Sequence, residues 1–320
     1  MEKLTLLSEI ETDTFKGLSA KSKYLLPKYF YDDIGSGIFQ DIMKMPEYYL
    51  TDCELEIFST KKKQITNAIK NGDTSFELIE LGSGDGLKTK ELLNYLVKSS
   101  ASFKYIPIDI SKKANNELVK NLRQEIPGLN LEAKTGDYFQ VMKQMNGYSG
   151  IRKIILFLGS NIGNFTNNEI DLFLNQLAGF TNKGDKVLIG FDLKKSPEVI
   201  MKAYNDQHGN TRKFNLNHLA RLNKELYADF NLGNFEQHTK YNPVTGEVKS
   251  FLVSKTDQTV RIGAIGQSFR FKKWEPVFME LSRKFDLETI ENMAQENGFK
   301  VEQHFTDKRN YFVDSLWARE

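Results

Sequence analysis

The pattern of apolar and polar positions changes rhythm twice along the chain. Between residues 59 and 194, short apolar runs alternate with stretches of helical period. Phe76-Glu77-Leu78-Ile79-Glu80-Leu81 reads as a strand, as do residues 105–110, 129–133, 153–158 and 186–192. Residues 87–97, 112–124 and 168–180 carry the helical period. Continuous apolar strands separated by helices predict a parallel sheet covered on both faces. Residues 195–284 break that rhythm. Helical patterns over 197–204 and 212–227 lead into longer strand-like runs, with Asn242-Pro243-Val244-Thr245-Gly246 as a turn between two of them. Residues 259–271 alternate as one strand. The tail returns to the first style, with a helix over 287–297 stopped by Gly298 and strands over 300–305 and 311–318. Residues 1–58 read as short helices and loops, Gly35-Ser36-Gly37 opening a helix over 38–43. The expectation is one α/β domain, 59–194 with 285–320, interrupted by an α+β domain made of 1–58 and 195–284.

Composition narrows the class. The 320 residues carry 44 basic and 42 acidic side chains, a formal charge of +2. That excludes a strongly basic nucleic-acid binder and a highly charged disordered chain. Cys53 is the single cysteine, so an intrachain disulfide is impossible, which fits a reducing compartment. The start, Met1 to Glu9, has acids around its apolar stretch and does not read as a secretory signal. The densest apolar run, Ile154-Ile155-Leu156-Phe157-Leu158, is far short of the roughly 20 residues of a membrane span. A cytoplasmic, monomeric protein acting on a small molecule, without nucleic-acid or membrane partners, is expected. The histidines at 208, 218, 238 and 304 show no ligand spacing, so no metal is expected. The 23 Phe, 13 Tyr and 2 Trp are an aromatic excess.

Candidate chemistry begins at Glu80-Leu81-Gly82-Ser83-Gly84-Asp85-Gly86, between a strand and a helix. Glycines there let the backbone turn tightly and approach a ligand. A dinucleotide fingerprint needs G-x-G-x-x-G; here Leu87 stands three residues after Gly84. An acidic residue before G-x-G favours S-adenosylmethionine (SAM) over a nicotinamide. Asp109 ends the second strand, where a carboxylate can accept both ribose hydroxyls. Asp137 and Tyr138 follow the third strand, where an adenine is commonly met. Turn glycines in an α/β protein without a cofactor are the plainer alternative.

Further segments carry a resemblance. They are Tyr29-Phe30-Tyr31-Asp32 with Gly35-Ser36, Met45-Pro46-Glu47-Tyr48-Tyr49, Phe157 to Asn164, and Phe278-Met279-Glu280-Leu281-Ser282-Arg283-Lys284-Phe285, with Lys88-Thr89, Ala203-Tyr204 and Phe214-Asn215. In order and spacing the chain resembles the SAM-dependent histidine N-alpha-methyltransferases of ergothioneine biosynthesis. The resemblance implies a doubly wound, Rossmann-like class I methyltransferase domain with an inserted substrate-binding domain. It implies that Glu80, Gly82, Ser83, Gly84, Lys88, Asp109, Asp137 and Tyr138 form the SAM site, with S-adenosylhomocysteine as product. Tyr31 and Tyr48 would lie at the reaction centre. Tyr48, Asn164, Tyr204, Phe214, Ser250, Glu280 and Ser282 would line the amino-acid site.

The residue types suit that chemistry. An amide such as Asn164 both donates to a carboxylate and accepts from an ammonium. Glu280 and Ser282, two apart on a strand, face one side and can meet two imidazole nitrogens. Tyrosine, with an ordinary pKa near 10, orients rather than abstracts a proton. The expected reaction is three methyl transfers to the alpha-amino group of L-histidine, giving hercynine. Ser250 stands where the family's bacterial enzymes tend to have Met, so tryptophan, tyrosine or a modified histidine are alternative substrates. A nucleic-acid or protein methyltransferase, a non-catalytic SAM- or nucleotide-binding module and an oxidoreductase are further alternatives. The first lacks an N/D-P-P-Y/F motif, since Gly159-Ser160-Asn161-Ile162 stands at that place.

Overall fold

The computed structural model describes residues 7–70, 75–145 and 150–320. The chain divides into two compact units, Leu50–Lys194 with Arg283–Glu320, and Met1–Tyr49 with Lys195–Ser282.

The larger unit is built on a seven-stranded sheet. Its strands are β1 (Phe76–Leu81), β2 (Phe103–Asp109), β3 (Lys134–Thr135), β4 (Arg152–Phe157), β5 (Lys186–Asp192), β11 (Phe299–Thr306) and β12 (Phe312–Arg319). They lie in the order β11-β12-β5-β4-β1-β2-β3. The five strands from β3 to β5 are parallel, while β12 runs antiparallel to β5 and to β11. Helices α3 (Tyr49–Ile69), α4 (Thr89–Lys98), α5 (Lys112–Glu125), α6 (Tyr138–Met145), α7 (Asn167–Phe180) and α10 (Leu287–Glu296) accompany it. The central strands are apolar almost throughout because both faces are covered. On one face Ile79, Ile106, Ile155 and Val187 pack with Leu174, Leu177 and Ile290. From β1 the chain builds outward through β2 and β3, then returns to place β4 on β1's other side. That reversal is the switch point beside which open α/β sheets bind ligands, at the carboxyl ends of the strands.

The smaller unit carries α1 (Glu9–Ser19), α2 (Asp33–Met43), α8 (Pro197–Tyr204), α9 (Asn210–Glu225) and strands β6 (Phe235–Asn242), β7 (Glu247–Ser254), β8 (Gln258–Ile262), β9 (Gln267–Phe271) and β10 (Pro276–Arg283). Strands β10, β7 and β6 form one sheet, and β8 pairs with β9. Alternating burial along β6 and β7 marks sheets with one packed face. Phe214, Leu219 and Leu222 of α9 meet Phe235, Leu252 and Met279 there.

Four expectations change. Residues 50–58 belong to the sheet unit, because they are part of the continuous helix α3 and not of short helices and loops. Residues 259–271 are two strands and a turn, since Gly263 and Gly266 reverse the chain. The strand expected over 129–133 is reduced to a bridge at Leu131, with β3 just after it. Gly35 lies inside α2, which Asp32 opens by accepting the Gly35 N–H at 2.6 Å.

Candidate active site

The glycine loop leaves β1 at the switch point. Gly82 and Gly84 adopt φ of +73° and +53°, a region side chains rarely enter, and a Cβ on Gly84 would meet nothing within 4 Å. The loop backbone is therefore open to a ligand. Asp109, at the end of β2, reaches back to it, accepting from Gly84 N–H at 3.2 Å and Ser111 N–H at 2.9 Å. Each carboxylate oxygen keeps accepting capacity for a diol. Asp137 accepts the Gln140 N–H at 3.0 Å as α6 begins. Tyr138 packs against Phe139, Phe157 and Phe173, and burial pushes its phenol up to about 12. The Ser83 hydroxyl is buried with no partner among the described residues, as expected of a group whose partner is a ligand. The open loop backbone, the Asp109 carboxylate and the unpartnered Ser83 hydroxyl fit a SAM site.

Glu80 is different. It is 3 % exposed, and its oxygens accept from Thr89 Oγ1 at 2.6 Å and from the Tyr105 hydroxyl. Burial pushes its carboxyl up to about 7, against those two hydrogen bonds and the Lys88 charge, with Glu54 adding to the rise. Glu80 therefore anchors the loop from below. Lys88 pairs with Glu54 of α3, whose carboxylate also accepts the Gly159 N–H at 2.8 Å. Glu54 went unread in the sequence, although a signal exists. It sits in the apolar stripe Leu50, Cys53, Ile57, Phe58 of α3, where a lone charge demands a partner.

Asn164 belongs to the same unit. It ends the 3-10 turn Asn161–Asn164 that follows β4. Ser160, just before, has φ of +57°, and its hydroxyl accepts the Asp192 N–H at 2.9 Å. Asp192 and Lys284 form a fully buried ion pair at 2.6 Å where the chain leaves and re-enters this unit.

The remaining candidates lie in the smaller unit. Asp32 accepts from Asn217 Nδ2 at 2.9 Å as well as from Gly35, which fixes Tyr31 beside it. The Tyr31 ring meets Phe39 and Phe214, both at 5.5 Å. Phe39 continues to Tyr48 at 6.2 Å, and Tyr48 to Tyr204 at 6.4 Å. The Tyr204 and Ser282 hydroxyls are hydrogen-bonded at 2.7 Å. Glu280 and Ser282 alternate with buried Met279 and Leu281 along β10, so both project from one side. Tyr31 keeps nearly half its surface exposed. Its phenol is nonetheless held well above 10, by the crowding of surrounding protein and then by the negative charge of Glu280. Tyr31 is a neutral phenol at pH 7. Ser250 is buried on β7 opposite Thr239, whose hydroxyl donates to the Tyr204 carbonyl at 3.0 Å. Phe214 is buried in the core of this unit and presents only its ring. Thus Tyr31, Tyr48, Tyr204, Phe214, Glu280 and Ser282 come together as an aromatic wall with a polar edge. Ser250 is placed by its register pairing with Thr239, whose hydroxyl meets the Tyr204 carbonyl.

Among the described residues no group of three His, Cys, Asp or Glu side chains is arranged to hold a metal. No helix among them is long and apolar enough to cross a membrane.

Known proteins resemble the chain along most of its length. A histidine N-alpha-methyltransferase of Mycolicibacterium smegmatis is 35% identical over 97% of this chain and 95% of its own. One of Mycobacterium tuberculosis is 33% identical over the same shares. Ergothioneine biosynthesis protein 1 of Schizosaccharomyces pombe is 28% identical, covering 88% of this chain and 37% of its own. The sequence profile of the family described as "Histidine-specific methyltransferase, SAM-dependent" matches residues 10–319, and the chain belongs to that family.

Proposed function

We propose that this chain methylates the alpha-amino group of L-histidine three times, giving hercynine, the first step toward ergothioneine. The observation that carries the substrate assignment is the polar edge of the aromatic wall. Glu280 and Ser282 share one side of β10, and Ser282 is tied to Tyr204. A carboxylate and a hydroxyl can satisfy both nitrogens of an imidazole, whereas an indole has one donor and no second polar edge.

SAM, when bound, supplies an electrophilic methyl carbon on a sulfonium. The protein's contribution is positioning, which can account for much of the barrier reduction. In the sheet unit Asp109 would accept the ribose hydroxyls, Asp137 the adenine amino group, and Lys88 would pair with the carboxylate of SAM. Asn164 in the sheet unit and Tyr204 in the smaller unit each offer a donor suited to the carboxylate of histidine. Tyr31 and Tyr48 orient the amine. The phenol of Tyr31 stays protonated at pH 7, so it accepts a hydrogen bond from the ammonium and does not act as the base. The amine loses its proton to water, which frees its lone pair for methyl transfer. Aromatic faces tolerate each added methyl, because a methylated ammonium over a ring gains cation–π attraction.

Incubation with SAM and each of the 20 amino acids, read by mass, tests the assignment. A gain of three methyl groups on histidine alone is expected; no gain on histidine would sink it. Glu280→Ala separates the two tasks. Histidine turnover is expected to fall far more than SAM affinity, and an equal loss of both would remove Glu280 from the substrate site.

A further inference from the structure

Four ionisable groups meet below the glycine loop, and their charges do not balance. Lys88 is the one cation. Glu54 of α3, Glu80 of β1 and Asp314 of β12 are three carboxyls, at 0%, 3% and 0% exposure. Lys88 pairs with Glu54, and the two Glu54 oxygens share the Gly159 N–H at 2.8 and 3.1 Å. Glu80 is satisfied by Thr89 and Tyr105. Asp314 is left over. Neither of its oxygens receives an N–H or O–H from the described residues, and the carboxyl of Glu54 lies alongside it. Gly190 of β5 is the register partner of Asp314, and a Cβ there would overlap Glu54 Oε1. The missing side chain makes the space in which the two carboxyls meet.

Two buried carboxyls in contact cannot both ionise cheaply. One proton between them would supply the donor that Asp314 otherwise lacks. We propose that Glu54 and Asp314 share one proton and act together as positioning residues for Lys88, holding its ammonium ready for the carboxylate of the methyl donor. The proposal rests on the reading of Lys88 as a cofactor contact. With the shared proton in place, Lys88, Glu54 and Asp314 are neutral together, and Lys88 can lend its charge to an incoming anion. Without it, a second negative charge draws the ammonium back into the cluster. The shift of Asp314 agrees. Burial and then the charge of Glu54 hold its carboxyl well above the usual range, opposed by Lys88.

The test is calorimetric binding of S-adenosylhomocysteine to the full chain from pH 7 to pH 9.5. Asp314→Asn copies the protonated carboxyl in size and shape. The wild type is expected to lose affinity at the alkaline end, by at most about tenfold per pH unit. Asp314→Asn is expected to bind as the wild type does at pH 7 and to keep that affinity at alkaline pH. Glu80→Gln is expected to keep the alkaline loss, which separates Glu80 from the effect. An Asp314→Asn protein that loses affinity as the wild type does overturns the proposal, as does a wild type whose affinity does not change. Lys88→Met tests the underlying reading separately. If it binds S-adenosylhomocysteine normally, Lys88 is no cofactor contact. A second measurement is independent of ligand. The infrared carbonyl band of a protonated carboxylic acid is expected at pH 7 in Glu80→Gln and to disappear when Asp314→Asn is added; its persistence there overturns the proposal.

Discussion

Acidification is expected to drive the two units in opposite directions. His218 is fully buried in the smaller unit, against the rings of Phe30 at 5.3 Å and Tyr29 at 6.1 Å, and neither ring nitrogen has a hydrogen-bond partner among the described residues. Burial, and then the charge of Arg221, lower its pKa to about 3, with Asp32 opposing. The unfolded chain takes up a proton near pH 6.5 that the folded unit refuses. The stability His218 allows is complete above that pH and is lost as pH falls, by about 2 kcal/mol at pH 5. Glu80, in the sheet unit, is raised from 4.5 to about 7. Its stability is complete below pH 4.5 and is lost as pH rises through 7, so moving from pH 8 to pH 5 regains about 2–3 kcal/mol.

The two tryptophans make the assay direct. Trp317 is buried in the sheet unit, and Trp274 lies in the smaller one, 62 % exposed. In Trp274→Phe, fluorescence during urea unfolding reports the sheet unit alone. Hydrogen exchange of α9 and β7 amides reports the other. With a urea slope of about 2 kcal/mol per molar, each midpoint is expected to move by about 1 M between pH 8 and pH 5. The sheet should move up and the smaller unit down. His218→Gln should abolish the downward shift, and Glu80→Gln should reduce the upward one, the remainder coming from Asp314, whose carboxyl is also held above its usual range. Both midpoints moving together, or an unchanged downward shift in His218→Gln, would refute the reasoning.

Lys284→Met leaves Asp192 buried without its ammonium and is expected to cost the sheet unit about 3–5 kcal/mol in urea unfolding, most of it recovered when Asp192→Asn is added. Gly190→Ala pushes a methyl into Glu54; a loss of about 1–3 kcal/mol is expected, together with weaker S-adenosylhomocysteine binding by calorimetry. Tyr204→Phe removes the hydroxyl bonded to Ser282; steady-state kinetics should show the KM for histidine raised by up to about tenfold, from a hydrogen bond of about 1 kcal/mol, with the KM for SAM little changed.

Which features could be read from the chain follows from how far away their partners lie. The strand at 186–192 is apolar on both faces, so its run declares it without knowledge of its neighbours. The loop at Gly82 and Gly84 and the carboxylate Asp109 take their meaning from the strand each ends, so their placement was legible too. Glu280 and Ser282 needed only the two-residue period of a strand. The failures share one cause. Residues 259–271 alternate correctly for one strand, and only pairing of β8 with β9 shows that Gly263–Gly266 turns the chain back. Glu80 reads as a ligand contact because its position matches, yet Tyr105 on the neighbouring strand has already taken its oxygen. Glu54 and Asp314 look like stray charges in an apolar helix stripe and an apolar strand. Each is intelligible only from the other, and from the empty side-chain position at Gly190 between them. A charged residue inside an otherwise apolar run is therefore a statement about a partner elsewhere. In this sheet unit the lysine that follows the glycine loop pairs with Glu54, and Glu54 in turn lies beside Asp314.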